Sequence, residues 1–290
     1  VPVRIRRLRA PGDRAAITAL WRSALPPAWP VLPDGIDRLD AGHVALDGAS
    51  RVVGLAALDP AGSVQLVAVA PGHRRRGLGT ELTRRALADL AAAEVAWAGV
   101  GSGGTAYFWP GVPTDLAAGR PFVELLGWTP TGTVHDLVRD LRRPAAAAPA
   151  PPAGVTLGLS DPEAADVQAF EAEHFPHWLR WFRGTAEEAL VARGPGGAIE
   201  GTLLLGGPGR ATMFWPLLGE DSASIGCVGV APDRQSRGVG TAMVTHASDL
   251  LAARGAGWCH IAWTVRTRFY ERAGYRQWRH YAMGRLPTGG

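Results

Sequence analysis

The chain has 290 residues, 47% of them apolar and 19% charged, with a net charge of +4. That balance excludes a disordered chain, and it is less basic than a nucleic-acid binder usually shows. All 30 basic residues are arginine, with neither lysine nor asparagine present, the composition of a GC-rich bacterial genome.

In chain order, VRIRRLR (3–9) alternates like a strand, and Asp13 is placed to cap a helix running to about Leu25. Residues 43–60 read as two strands around a DGAS turn, and VQLVAVA (64–70) as a third. A helix is predicted over 77–94, a strand over 95–101, a short helix over 119–126, and strands at 128–133 and 135–141. The stretch RRPAAAAPAPPAG (142–154) has the composition of an extended, semi-rigid linker. After it the same order repeats: strand 155–160, helix 161–175 with Pro162 at its first position, strands 188–194 and 199–207, and strand 224–231. Helix 238–255, strand 258–264, helix 265–273 and strand 275–286 complete it. The prediction is two mixed α/β domains, 1–141 and 155–290, joined by the linker 142–154.

The repeat is literal at one place. VAVAPGHRRRGLGTEL (67–82) and VGVAPDRQSRGVGTAM (228–243) agree at eight of sixteen positions with a constant offset of 161. Each copy is an apolar strand, a proline, then Arg or Gln followed by x-x-Gly-x-Gly and a helix. Glycines at such a turn let the backbone approach a ligand, and the first helical N–H groups point outward with the positive end of the helix dipole. That is an anion site suited to phosphate, reinforced by an adjacent arginine. A Walker loop is excluded, since there is no lysine, and the dinucleotide fingerprint lacks its third glycine, with Leu82 and Met243 in its place.

The strand, this turn, and then FVELLGW (122–128) in one copy and FYERAGY (269–275) in the other resemble the GCN5-related N-acetyltransferases over nearly the whole chain outside the linker. The resemblance implies two tandem domains, each a mostly antiparallel central sheet flanked by helices. It implies acetyl-CoA as cofactor and an amine, most simply a small molecule, as acceptor. Val228 and Val230 would contact pantetheine, and Gln235, Ser236, Arg237, Gly238, Val239, Gly240 and Thr241 would cradle the phosphates. In the first copy the matching residues are Val69, Arg74, Arg75, Arg76, Gly77, Leu78, Gly79 and Thr80. Tyr270 matches the family's general acid, whereas the first copy has Val123 there, so the second domain is expected to be catalytic. The first would be cofactor-binding or structural. Three alternatives stay open: catalysis in the first domain with Tyr107, a non-catalytic acyl-CoA sensor, and a nucleic-acid binder using the RRR run at 74–76.

The base is less defined, because SIGCVGV carries no acid. Candidates are Glu173 and His174 at the end of an acid-rich helix, and His260 on WCHIAWT. The segment 173–182, with Phe175, Trp178, Trp181 and Phe182, offers either a pocket wall or core packing. Cys227 and Cys259 make neither a disulfide framework nor a metal set, so no metal is expected. The N-terminus lacks the apolar core of a signal peptide, and no run reaches membrane-spanning length. The expectation is a cytoplasmic monomer or homodimer with no membrane or nucleic-acid partner.

Overall fold

The computed structural model describes residues 3–101, 108–143, 150–185, 187–209 and 212–289. In chain order the elements are β1 (Arg4–Arg7), α1 (Arg14–Ala24), α2 (Pro33–Asp37), β2 (Ala41–Leu46), β3 (Val52–Asp59), β4 (Ser63–Val69), α3 (Leu78–Ala92), β5 (Trp97–Val100), β6 (Val112–Pro113), α4 (Gly119–Leu125) and β7 (Thr129–Asp140). Then come β8 (Thr156–Ser160), α5 (Ala165–His174), β9 (Glu188–Arg193), β10 (Ile199–Gly206), α6 (Trp215–Leu218), β11 (Ser222–Val230), α7 (Val239–Ala253), β12 (Trp258–Thr264), α8 (Thr267–Glu271) and β13 (Arg276–Pro287).

The chain divides into two compact units, one of residues 1–134 and 279–290, the other of residues 135–278. In the first, β1 to β4 are antiparallel neighbours, β5 lies parallel to β4, and the 285–287 end of β13 pairs antiparallel with β5. In the second, β8 to β11 are antiparallel, β12 lies parallel to β11, and the 135–140 end of β7 pairs antiparallel with β12. Each sheet thus has one parallel junction in an otherwise antiparallel order. The last strand of each sequence copy is built into the other copy's unit. Local pattern cannot show this, because strands 135–141 and 275–286 read alike whichever sheet receives them.

Spacing explains the cores. In α3, Leu82, Ala86 and Leu90 recur every four residues and face Ala45, Ala56, Val64 and Ala98. In α7, Val239, Met243, Ala247 and Leu251 do the same against Leu190, Leu203, Leu205 and Ile225. On the opposite face of the second unit, Val167 of α5 packs with Phe182, Ala189, Val191 and Leu204.

Several local expectations change. Asp13 precedes α1 but does not cap it; its carboxylate takes the Arg6 guanidinium at 2.6 and 2.7 Å and the Arg9 N–H. Pro162 lies ahead of α5, which starts at Ala165 after Asp161 accepts the Glu163 N–H in a turn. The strands expected at 128–133 and 135–141 are one, β7. Short α2 and α6 form where the sequence predicts no element. Residues 144–149 of the expected linker lie outside the described residues.

Candidate functional site

The duplicated phrase folds the same way twice. After β4 comes one turn of tight helix (Pro71–His73), then Arg75 at φ 61° and Gly77 at φ 78°, then α3. After β11 comes Pro232–Arg234, then Ser236 at φ 62° and Gly238 at φ 92°, then α7. Neither helix has a side-chain cap, so the N–H groups of Leu78, Gly79 and Thr80, and of Val239, Gly240 and Thr241, precede the first intrahelical donors. The first motif residue turns inward in both. Arg74 Nε donates to the Val69 carbonyl at 2.9 Å, and Gln235 Nε2 to the Val230 carbonyl at 3.0 Å. Arg74 also donates to the Ala24 carbonyl at 2.6 Å, so it braces the turn. Arg75, Arg76 and Arg237 are exposed beside it.

The second glycine of each turn is needed for contact. A Cβ at Gly79 would stand 3.3 Å from the Phe122 ring, and one at Gly240 would stand 3.2 Å from Phe269. Phe122 and Phe269 occupy matching places, so Val123 matches Tyr270, as the sequence alignment implies.

The parallel junction of the second unit opens: β11 and β12 pair from Ser222–Trp258 to Ser224–His260, and the strands continue to Val230 and Thr264 without pairing to each other, so they splay. In the first unit β4 and β5 pair, among the described residues, at Ser63–Gly99 and Val64–Val100. The cleft there is lined by side chains such as Val67, Val100, Trp109, Leu116 and Val123, and none of its described lining residues is titratable.

The splay of the second unit differs in chemistry. Cys227 and Val228 form a bulge opposite Leu203, with Cys227 at φ 48°, a conformation β4 does not adopt. A bulge of this kind turns backbone N–H groups out of the ladder. Tyr270 is buried among Phe269 and Tyr275, 7% exposed. Burial, helped by the nearby Cys227 thiol, pushes its phenol well above the usual range, so it stays protonated. Cys227 is itself pushed up by burial and then by Glu171 and Glu187; burial pushes Cys259 up to about 12. Neither is a thiolate nucleophile at neutral pH. Among the described residues there is no group of side chains able to hold a metal ion, and no helix long and apolar enough to cross a membrane.

The candidate bases separate. Glu173 points outward, its side chain 74% exposed and 3.7 Å from His174, whose ring packs against Phe170. His260, on the last paired position before the splay, is 5% exposed. The aromatics of 173–182 divide: Phe175 stacks on Trp178 and lies over Gly229, where a Cβ would come within 2.4 Å of its ring. Phe182 is core, and Trp181 is exposed beneath Arg180. Tyr107 lies outside the described residues.

Glu171 was not selected from the sequence, although it stands four residues after buried Val167 on the same helix face. It is fully buried, bonded to the Thr202 hydroxyl, and burial pushes its carboxyl up to about 7. A carboxyl raised in the folded state stabilises fully below its ordinary pKa and loses that contribution as pH rises through 7. Glu171→Gln is therefore expected to match wild type near pH 4.5 and to exceed it at pH 8 by at most roughly 3 kcal/mol, less where water screens the charge. Melting temperatures of both proteins across that range check it; parallel pH curves would contradict it.

The glycine turn and the mixed sheet with one parallel junction recur in each unit, and the second adds the splay and the bulge; together they define an acetyltransferase fold. The description "Acetyltransferase (GNAT) family" matches residues 14–106, and "Acetyltransferase (GNAT) domain" matches residues 187–277. The chain belongs to the GCN5-related N-acetyltransferases and carries two such domains. It is similar to a mycothiol acetyltransferase of Tsukamurella paurometabola, 28% identical over 230 residues, spanning 73% of this chain and 72% of that protein. A GCN5-related glucosamine N-acetyltransferase region in a fungal multi-domain GH3 β-N-acetylglucosaminidase is also similar (TM-score 0.84, 28% identity); the match covers 98% of this chain and 38% of that one. A tandem GNAT protein from the clavulanic acid biosynthesis pathway shares the fold (TM-score 0.67, 20% identity, 100% of this chain and 99% of that one).

Proposed function

We propose that the second unit transfers the acetyl group of acetyl-CoA directly to the amine of a small molecule, and that the first unit is cofactor-binding or structural. The observation that carries this is the pairing of Tyr270 with the Cys227–Val228 bulge at the second splay, where the first unit has Val123 and, among the described residues, no titratable side chain lining its cleft. The donor fits the turn: the uncapped N–H groups of Val239 to Thr241 would receive its phosphates, Gly240 leaves the room that a Cβ would take, and Val228 and Val230 lie on the strand that splays. Acetyl-CoA supplies the acetyl group as a thioester. N–H groups at the bulge stabilise the charge developing on the carbonyl oxygen. Tyr270 gives its proton to the departing sulfur, and His260 is the best placed of the candidate bases.

The similarity to a glucosamine N-acetyltransferase region makes an amino sugar the first acceptor to try. Release of free CoA thiol from acetyl-CoA is to be followed with a panel of amines headed by glucosamine, with products read by mass spectrometry. Acetylated amine is the expected result. Binding of acetyl-CoA with no release from any amine would favour a sensor.

A further inference from the structure

Residue 136 belongs to a strand of the first sequence copy, yet it faces the reaction strand of the second unit. The register between β7 and β12 runs from Leu137–Ile261 to His135–Thr264, leaving Ala262 and Trp263 opposite Asp136. Trp263 stands at φ 54°, and its N–H donates to Asp136 Oδ1 at 3.0 Å. The second oxygen, Oδ2, lies 3.5 Å from His260 Nε2. Across the imidazole, Nδ1 is 2.9 Å from Thr212 Oγ1. Thr212, His260 and Asp136 are 5%, 5% and 1% exposed. Phe214 and Trp278 meet the ring edge-on at 5.6 and 5.8 Å.

The proton positions follow from the partners. Thr212 Oγ1 accepts the Phe214 N–H at 3.2 Å, and its O–H can donate to Nδ1 when that nitrogen carries no proton. A ring proton on Nδ1 alone would set the bare Nε2 lone pair against a buried carboxylate. The ring proton therefore belongs on Nε2, facing Asp136. The order is hydroxyl, imidazole, carboxylate, and the imidazole sits at the root of the splay.

We propose that Thr212, His260 and Asp136 form a proton relay that removes the proton of the acceptor amine, Thr212 being its substrate-facing end and Asp136 its positioning residue. This rests on the reading of the second unit as the transfer site. As the amine nitrogen bonds to the acetyl carbon and the C–S bond breaks, an amine proton passes to Thr212 Oγ1. The threonine's own hydroxyl proton passes to His260 Nδ1. The resulting imidazolium is held by the Asp136 carboxylate, and Tyr270 protonates the thiolate. Solvent later takes the imidazolium proton and restores the phenol, so no other reactant is consumed. The 3.5 Å separation is longer than a hydrogen bond, and it is expected to shorten when the ring becomes charged.

Two measurements on the full chain test the relay. The first is the imidazole ¹⁵N spectrum, with His260 assigned by its loss in His260→Gln. A proton on Nε2 is expected, with the Nδ1 resonance shifting in Thr212→Val. A proton on Nδ1 would overturn the relay, whatever the acceptor.

The second is turnover with acetyl-CoA and the fastest amine of the panel. Thr212→Val and Asp136→Asn are each expected to lower kcat on the order of 10²-fold. KM for acetyl-CoA should stay within about twofold, because the loss lies in the transition state. Asn keeps an oxygen for the Trp263 N–H, so the bulge survives, and Thr212→Ser should restore turnover. Combined with His260→Gln, neither change should cost more than His260→Gln alone. Multiplying effects, or full kcat in Thr212→Val when His260→Gln is impaired, would overturn the relay. Full kcat in His260→Gln would overturn the assignment of the base itself.

Discussion

Replacing Tyr270 with phenylalanine is expected to lower kcat by roughly 10²- to 10⁴-fold, the range general acid catalysis supplies, while leaving acetyl-CoA affinity near its wild-type value. The phenol is buried beside the bulge at Cys227, and burial keeps it protonated. Phenylalanine preserves the packing on Phe269 and Tyr275 and removes only the hydroxyl that donates the proton. A loss confined to kcat therefore reports chemistry, whereas a matched rise in KM would report binding. The counterpart Val123 is buried in the first unit's core. Val123→Ala should cost stability there through a small cavity, and leave kcat unchanged. Single-turnover thiol release with both variants separates the two outcomes. Full turnover by Tyr270→Phe would move the chemistry out of the second unit.

Deleting residues 279–290 is expected to unfold the first unit, although these residues end the second sequence copy. Tyr281 and Leu286 are 0% and 1% exposed, and β13 pairs with β5 and β6. Arg279 lies 3.8 Å over the Trp29 ring, and the ring of Trp128 fills the space at Gly284. Burying each large side chain contributes about 1.5–3 kcal/mol. Losing two of them with a strand's hydrogen bonds approaches the roughly 5–15 kcal/mol that holds a whole domain. Hydrogen exchange should show protection lost across β2 to β5 and α3. Loss confined to 155–278 would instead fit a second domain that keeps its own last strand.

What the sequence made legible was local and repeated. The offset of 161 located both copies of the glycine turn, and the structure gives Arg75 and Ser236 the same left-handed backbone. Phe122 and Phe269 confirm that FVELLGW and FYERAGY are counterparts, because each ring meets the second glycine of its own turn. What stayed hidden depends on partners distant in sequence. Nothing in VHDLVRD says that Asp136 will face Trp263, because strand pairing across 127 residues leaves no local pattern. Thr212 lies in a loop with no motif. Glu171 and Glu173 look equivalent as acids on one helix; only the spacing from Val167 sends one inward. Pro162 and Asp13 carried real start signals, but each was outcompeted, by a turn at Asp161 and by the Arg6 guanidinium.

Acetyl transfer at the second splay is to be checked by a crystal structure with acetyl-CoA bound. Pyrophosphate is expected on the N–H groups of Val239 to Thr241, the thioester oxygen on an N–H of the Cys227–Val228 bulge, and the sulfur within hydrogen-bond reach of the Tyr270 hydroxyl. Acetyl-CoA bound only between β4 and β5, with the second splay closed, would contradict it.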